Sequence, residues 1–228
     1  MVDILYEDNH LIVCIKPQNV PSQQDSSLDK DMLTIVKEYI KEKYNKPGNV
    51  YVGLVHRLDR PTGGLMVFAK TSKAASRLSA QFAENDCHKQ YLAVVGGVVL
   101  QSKQKIESYL KKDEKTNIVT IAKKDEIGAK KAELEYELIA SKNNLSLLKV
   151  NLFTGRSHQI RVQMQSIGHA LFGDAKYGNN NEKNNLALWS YKLEFVHPTL
   201  NKLMQFTSLP NTSVAPWNIF KNEVKTLK

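Results

Sequence analysis

The sequence predicts an α+β fold, a mainly antiparallel mixed sheet flanked by helices and loops, from three features. Short apolar runs outnumber amphipathic stretches, most of these runs follow one another directly, and turns rich in Gly, Pro or Asn separate them. No internal repeat or low-complexity linker divides the 228 residues, so a single domain over 1–228 is expected, long enough to bury a real core.

Ile4 to Tyr6 and Leu11 to Ile15 read as a hairpin around the polar Glu7-Asp8-Asn9-His10, and Lys16-Pro17-Gln18-Asn19-Val20-Pro21 stops its second strand. Asp29 to Lys43 carries Met32, Val36, Tyr39 and Ile40 on one helical stripe, with Ser26 and Asp29 resembling a capping box. Lys46-Pro47-Gly48-Asn49 ends that unit, and apolar residues on both sides of position 60 then predict two buried strands, Val52 to Val55 and Leu65 to Ala69. Thr71 or Ser72 caps a helix whose apolar face uses Ala75, Leu78 and Phe82.

Lys89 to Val95 is a further strand, closed by Gly96-Gly97. Between Gln101 and Lys131 nine lysines face five acidic residues, the pattern of a solvated edge hairpin that lysines protect from aggregation. Ala132 to Ile139 and Leu145 to Leu152 form an antiparallel pair. Ser157 can cap a helix through Ile167, with Gly168 as its stop. Asn179 to Asn185 is a polar loop, Tyr191 to Val196 another strand, and Pro216 to Leu227 a closing helix.

Composition narrows the function. A net charge of +9 points to a polyanionic partner such as nucleic acid. Cys14 and Cys87 make neither a metal-spaced pair nor a disulfide framework, which suits a reducing cytosol. No CxxC, HExxH, EF-hand or phosphate-binding Gly-rich loop is present, so neither metal nor nucleotide cofactor is expected. The opening residues resemble no signal peptide, and no apolar run approaches membrane-spanning length. A soluble cytoplasmic protein is expected, a monomer for want of an evident association element.

Two constellations carry chemistry. His56-Arg57-Leu58-Asp59-Arg60-Pro61-Thr62-Gly63-Gly64 sets a carboxylate between two arginines on a Pro/Gly turn held by rigid strands. By itself this loop also fits an ordinary salt-bridged turn. Thr154-Gly155-Arg156-Ser157-His158-Gln159-Ile160-Arg161 gathers cations at a helix start, where the macrodipole disfavours them, so a negative partner is called for. The plain alternative is a capped helix with solvated basic residues. Helical spacing puts Ile160, Met164 and Ile167 on the buried stripe and His158, Arg161 and Gln165 on a neighbouring face. Tyr91, taken alone, is a typical strand tyrosine. An Asp-nucleophile hydrolase is disfavoured, since Asp59 has no second carboxylate or magnesium cluster in its motif.

In this order the segments resemble one family, the pseudouridine synthases of the RluA type, which isomerise uridine in structured RNA. His56-Arg57-Leu58-Asp59 with Thr62, Gly64 and Phe68-Ala69-Lys70 is similar to its catalytic motif, and Lys89 with Tyr91 to its lysine and tyrosine strand. Thr154 to Arg161 with Gly168-His169 and Gly173-Asp174 is similar to the third signature. Leu193, Phe195, His197-Pro198 and Leu209-Pro210 resemble the C-terminal pattern, and Ile4 to Asp8 and Lys16-Pro17 the N-terminal one. The chain departs from the pattern at Gly63, where Ser is usual, and at Gln163, Ala170 and Asn19, where His, Pro and Gly are common. The S4 RNA-binding module of many relatives is not expected, because the pattern begins at Ile4.

The resemblance implies the pseudouridine synthase fold with a central RNA-binding cleft, ribosomal or transfer RNA as partner, and no metal. It implies Asp59 as the essential carboxylate, Arg161 as its ion-pair partner and Tyr91 as the ring that stacks on uracil. Arg57, Arg60, Lys89, Arg156 and His158 are the implied RNA contacts. A non-catalytic RNA-binding or ribosome-assembly factor on the same fold is the rival reading.

Overall fold

The computed structural model describes residues 2–178 and 185–227. In chain order the strands are β1 (Asp3–Glu7), β2 (Leu11–Lys16), β3 (Gly53–Leu54), β4 (Gly63–Ala69), β5 (His88–Gly96), β6 (Lys103–Asp113), β7 (Ile118–Ala122), β8 (Lys130–Lys142), β9 (Leu145–Leu152), β10 (Leu188–Val196) and β11 (Leu203–Thr207). The helices are α1 (Met32–Lys43), α2 (Ser72–Glu84), α3 (Gln159–Ser166) and α4 (Lys221–Lys225). The architecture is α+β, on a mixed sheet that does not close. Positions 179–184 of the expected polar loop lie outside the described residues. The chain clusters into two compact units, Met1–His88 with Ser190–Ser208, and Lys89–Trp189 with Leu209–Lys228.

In the first unit, β2 pairs antiparallel with both β1 and β4, and β11 pairs antiparallel with β10. β4 is buried along its whole length, which is why Leu65 to Ala69 reads as an unbroken apolar run rather than an alternation. Its neighbour on the other edge is shorter than the sequence suggests. β3 pairs only Gly53 with Ala69 and Leu54 with Phe68, because His56 then substitutes its ring for the ladder: the Val67 amide donates to His56 Nε2 at 3.0 Å. The imidazole lies flat on Phe82, with centroids 4.4 Å apart.

α1 begins three residues later than expected. Asp31, not Ser26, is the cap, its carboxylate accepting from the Thr34 amide at 2.8 Å, while Asp25 closes a local turn on Ser27. Met32, Val36 and Ile40 form the buried stripe. α2 is capped by Thr71 and ends on Asn85 in the left-handed region. Ala74 and Leu78 join Leu11, Val13, Leu65, Val67, Leu193 and Phe195 in the core of this unit.

In the second unit β5, β9, β8, β6 and β7 follow one another, all antiparallel. The lysine-rich segment is a hairpin, but only β7 is its edge, since β6 also pairs with β8. Lys103–Glu135 and Lys105–Glu133 bridge β6 and β8 at 3.0 Å each. The β8–β9 turn places Asn143 and Asn144 at φ of 53° and 55°, positions where Asn substitutes for Gly. α3 differs most from expectation. Ser157 does not cap it; His158, at φ 51°, precedes the first turn without a side-chain cap. Every residue from Gln159 to Met164 is buried, so there is no solvated polar face in that stretch. The expected closing helix is interrupted, a 3₁₀ turn at Trp217–Phe220 leading into the short α4.

Candidate active site

In the first unit the turn preceding β4 is fastened from several sides. The Thr62 amide closes it on the Asp59 carbonyl at 2.9 Å. Ser22 receives the Leu58 amide and donates to the Leu58 carbonyl, at 3.1 and 2.7 Å. Gln18 Nε2 donates to the Pro61 carbonyl at 3.0 Å, and the Asn19 amide to the Arg60 carbonyl at 2.8 Å. Asn19 sits at φ 65°, so Asn here fills the position where the family pattern has Gly. Gly64, at φ 114°, lets the start of β4 run against β10: a Cβ there would stand 2.3 Å from the Ser190 carbonyl oxygen.

Asp59 is half-buried on this turn, and Arg57 is exposed. Arg60 points its guanidinium at the segment before α1, reaching Ser27 Oγ at 2.7 Å, Asp25 at 3.4 Å and Asp29. The side chain that looked like a flanking cation for Asp59 thus has carboxylate partners of its own. Beneath the turn, Lys16 at the end of β2 is fully buried, and its ammonium donates to the carbonyls of Pro17, Val20 and Arg60. Burial pushes its amine down to about 7, while the Asp59 charge pulls the other way. The sequence marks this lysine as a charged residue closing an apolar strand before a proline and as part of the Lys16-Pro17 segment that resembles the family's N-terminal pattern, but neither signal shows its burial.

In the second unit the helix start is organised around Arg161. Arg161 is 6% exposed, and its Nε and Nη2 grip both oxygens of Asp174 at 2.8 and 2.7 Å. Burial alone would raise the Asp174 carboxyl, but the Arg161 guanidinium and the amides of Tyr177 and Lys176 hold it below the usual carboxylate range. The Tyr177 ring faces the guanidinium, 4.9 Å from its carbon. The Tyr177 hydroxyl accepts from the Val119 amide at 2.9 Å and meets His158 Nδ1 at 2.6 Å. Asp174 and Tyr177 were missed as site residues, although Asp174 stands in the same signature as Arg161.

Gln159 builds the entry to α3. Its Oε1 accepts from the Arg156 amide at 3.0 Å and from Thr154 Oγ1 at 2.8 Å, and its Nε2 donates to the Glu133 carbonyl at 3.0 Å. Arg156 is exposed and its Nε donates to the Lys131 carbonyl at 2.9 Å. Lys89, half-buried on β5, brings its ammonium to 3.9 Å from where a Gly155 Cβ would stand. Tyr91, 8% exposed, sits opposite Val150 of β9. Gln163 donates to Ser108 Oγ at 2.9 Å and the Ala132 carbonyl at 3.1 Å, so an amide holds the position where His is frequent in the family.

Asp59 thus belongs to the first unit, and Tyr91 and Arg161 to the second. A cavity of about 350 Å³ lined by Tyr44, Lys46, Tyr51 and Lys70 contains none of these residues. Among the described residues no group of His, Cys, Asp and Glu could hold a metal ion, and no helix is long and apolar enough to cross a membrane.

Residues 10–166 match the family model described as RNA pseudouridylate synthase. A Zymomonas mobilis subsp. mobilis protein named ribosomal large subunit pseudouridine synthase D is 34% identical over 218 residues, covering 90% of this chain and 68% of its own. The synthase C of Buchnera aphidicola subsp. Acyrthosiphon pisum is 33% identical, covering 86% and 63%. The chain spans about two thirds of the length of these relatives. In fold it is similar to human RNA Pseudouridylate Synthase Domain Containing 4, with a TM-score of 0.79 at 20% identity over 98% of this chain and 93% of that one.

Proposed function

The chain belongs to the RNA pseudouridylate synthase family, and on that premise we propose that it isomerises uridine to pseudouridine in structured RNA with Asp59 as the essential carboxylate. The whole of 1–228 serves as one catalytic domain. Large-subunit ribosomal RNA is the first substrate class, because the relatives' names specify it; transfer RNA offers the same chemistry. The protein acts as a monomer in the cytoplasm, a reducing compartment that suits the free Cys14 and Cys87.

The observation that carries the reading is the fastening of the Asp59 turn. A carboxylate serves as nucleophile or base only when ionised and positioned, and Leu58, Arg60 and Pro61 beside Asp59 are each tied by a hydrogen bond to a side chain outside the turn. The N1–C1′ bond breaks, the uracil turns, C5 bonds to C1′, the C5 proton leaves and N1 takes up a proton, so that product and substrate are isomers. Arg161 supplies the cation that keeps Asp59 charged. Tyr91 stacks on the uracil and assists loss of the C5 proton; a phenol is a weak base near neutral pH, so a stronger base must share that step. The reaction is redox-neutral and needs no metal or nucleotide.

A base inside folded RNA must first leave its stack, which costs a few kcal/mol. Arg57 is exposed beside Asp59 and fills the vacated stack with its planar guanidinium. Arg60, Lys89, Arg156 and His158 hold phosphates and orient the RNA without reading sequence.

Tritium release from a large-subunit ribosomal RNA transcript labelled at uridine C5 tests the reading. The protein is expected to release label, and Asp59→Asn to release none while still binding RNA. Binding without release by the unaltered protein would instead identify a non-catalytic RNA-binding factor.

A further inference from the structure

At the far end of β4 from the Asp59 turn, the first unit holds the cavity of about 350 Å³ that the catalytic reading leaves unused. The β2–β4 register sets the separation. Lys16 lies opposite Gly64, where β4 leaves the Asp59 turn, and Leu11 lies opposite Ala69, next to Lys70 and Thr71 of the cavity wall. The 7 residues of β4 intervene, a span of roughly 20 Å at the usual rise of a strand. A nucleotide seated in the cavity is therefore not the one that Asp59 attacks.

The wall combines open rings with cations. Tyr44 and Tyr51 both line the cavity and are 47% and 51% exposed. Tyr51 is nevertheless seated at its polar end. A Cβ on Gly53 would stand 3.0 Å from the Tyr51 hydroxyl and 2.8 Å from the Ala75 Cβ, so the bare glycine makes room for that hydroxyl beside α2. A ring fixed at one end and half open to solvent loses little freedom when something stacks on it. Around Tyr44, the ammoniums of Lys70, Lys43 and Lys46 lie 5.1, 5.3 and 5.9 Å from the ring centroid. Lys43 and Lys70 are committed to Glu7, which also accepts the Tyr44 hydroxyl at 2.9 Å. Lys46, exposed on the wall, makes no ion pair among the described residues. Asn9 and Asn49, also exposed there, add amides that both donate and accept.

A ligand suited to this wall has a flat face for Tyr51, a negative charge for Lys46 and hydrogen-bonding edges for the two amides. A free nucleoside triphosphate is poorly served, because one uncommitted ammonium and no glycine-rich phosphate loop face it. A nucleotide within an RNA strand carries a single charge on its phosphate and, where unpaired, an open base face. The net charge of +9 draws such a strand to the protein.

We propose that this cavity is an accessory RNA subsite, in which an unpaired nucleotide other than the target uridine stacks its base on Tyr51 and sets its phosphate on Lys46. The proposal rests on RNA as the partner and is independent of the role of Asp59. Stacking so far from the reacting bond is felt equally before and during the chemical step, so it lowers KM and leaves kcat unchanged.

The test titrates tetra-adenylate, a single-stranded RNA that offers Asp59 no uridine, into the isotope-labelled full chain and follows it by NMR. The backbone amides of Asn49, Tyr51 and Thr71 are expected to shift and saturate. Tyr51→Ala should weaken that binding by at least about fivefold, and Tyr51→Phe, which keeps the ring, by less than about twofold. Lys46→Gln should lower the log–log salt slope by about 0.7, the share of one phosphate on a single strand. Because Lys46 is exposed, this variant tests the site even where Tyr51→Ala fails to fold. Amides that ignore tetra-adenylate, a Tyr51→Ala protein that binds it as well as the unaltered one, or an unchanged slope in Lys46→Gln overturns the proposal. Inorganic phosphate that reproduces the same shifts at the same concentrations also overturns it, leaving a simple anion site.

On the C5-labelled ribosomal transcript, Tyr51→Ala should raise KM about fivefold with kcat unchanged. A lower kcat at unchanged KM contradicts a subsite outside the chemistry. Tetra-adenylate shifts in a protein that releases no label leave the subsite standing and refute only the catalytic reading of Asp59.

Discussion

Arg161 and Asp174 form a fork-to-fork ion pair with side chains 7% and 0% exposed, and such a pair is better judged by what its rupture leaves behind. Arg161→Met strands the Asp174 carboxylate away from water, at an expected cost of about 3–5 kcal/mol in urea unfolding, together with loss of turnover. Arg161→Lys keeps a charge but cannot satisfy both oxygens, so its loss should be smaller. The pH sign follows from the depressed Asp174 carboxyl: the stability it contributes is full above the unfolded value near ~3.9 and is lost as pH falls through the folded one. Arg161 itself was legible in the sequence, because a cation in the first turn of a helix contradicts the macrodipole unless something negative holds it. The identity of that anion within its unit was not legible. Asp174 lies beyond the end of α3, and only the fold brings it back to the guanidinium.

Glu7 shows the same physics between elements. Its carboxylate joins β1 to α1 through Lys43 at 2.7 Å and to the end of β4 through Lys70 at 2.6 Å. Burial works against the charge, yet hydrogen bonds from Lys43, Lys70 and Tyr44 hold this carboxyl down to about 2. Its stabilisation is present above the unfolded value near ~4.3 and disappears between there and the folded one. Glu7→Gln should therefore flatten the acid limb of a thermal-melting profile between about pH 4 and about pH 2. At the entrance to β4, Gly64→Ala combines positive φ with a backbone oxygen 2.3 Å from the new carbon, and a loss of more than about 2 kcal/mol in urea unfolding is expected. Apolar periodicity made β2, β4, β5, β8 and β9 readable, since their burial is written in residue type. Periodicity failed where side chains replace backbone partners. β3 stops after two residues because His56 takes the Val67 amide, and α3 is buried from Gln159 to Met164, where Gln159 and Gln163 find acceptors inside the fold. Hydrogen-bond accounting of that kind needs the three-dimensional neighbours.

Over the whole molecule the excess of positive charge, +9, makes RNA affinity an electrostatic quantity. Binding should weaken linearly in log–log salt titrations, and Arg156→Ala should reduce the slope by about one, the signature of a single phosphate contact. Asp59→Asn should leave that slope unchanged, since a carboxylate neutralises no phosphate. Composition foretold the polyanion, and the spaced motifs foretold which reaction the polyanion undergoes. The most direct measurement is therefore a map of pseudouridines in the total RNA of cells that lack this protein, complemented with the natural chain or with Asp59→Asn. The account predicts at least one pseudouridine in large-subunit ribosomal or transfer RNA that the natural chain restores and Asp59→Asn does not. A map unchanged by loss of the protein, or a site restored equally well by Asp59→Asn, would contradict it.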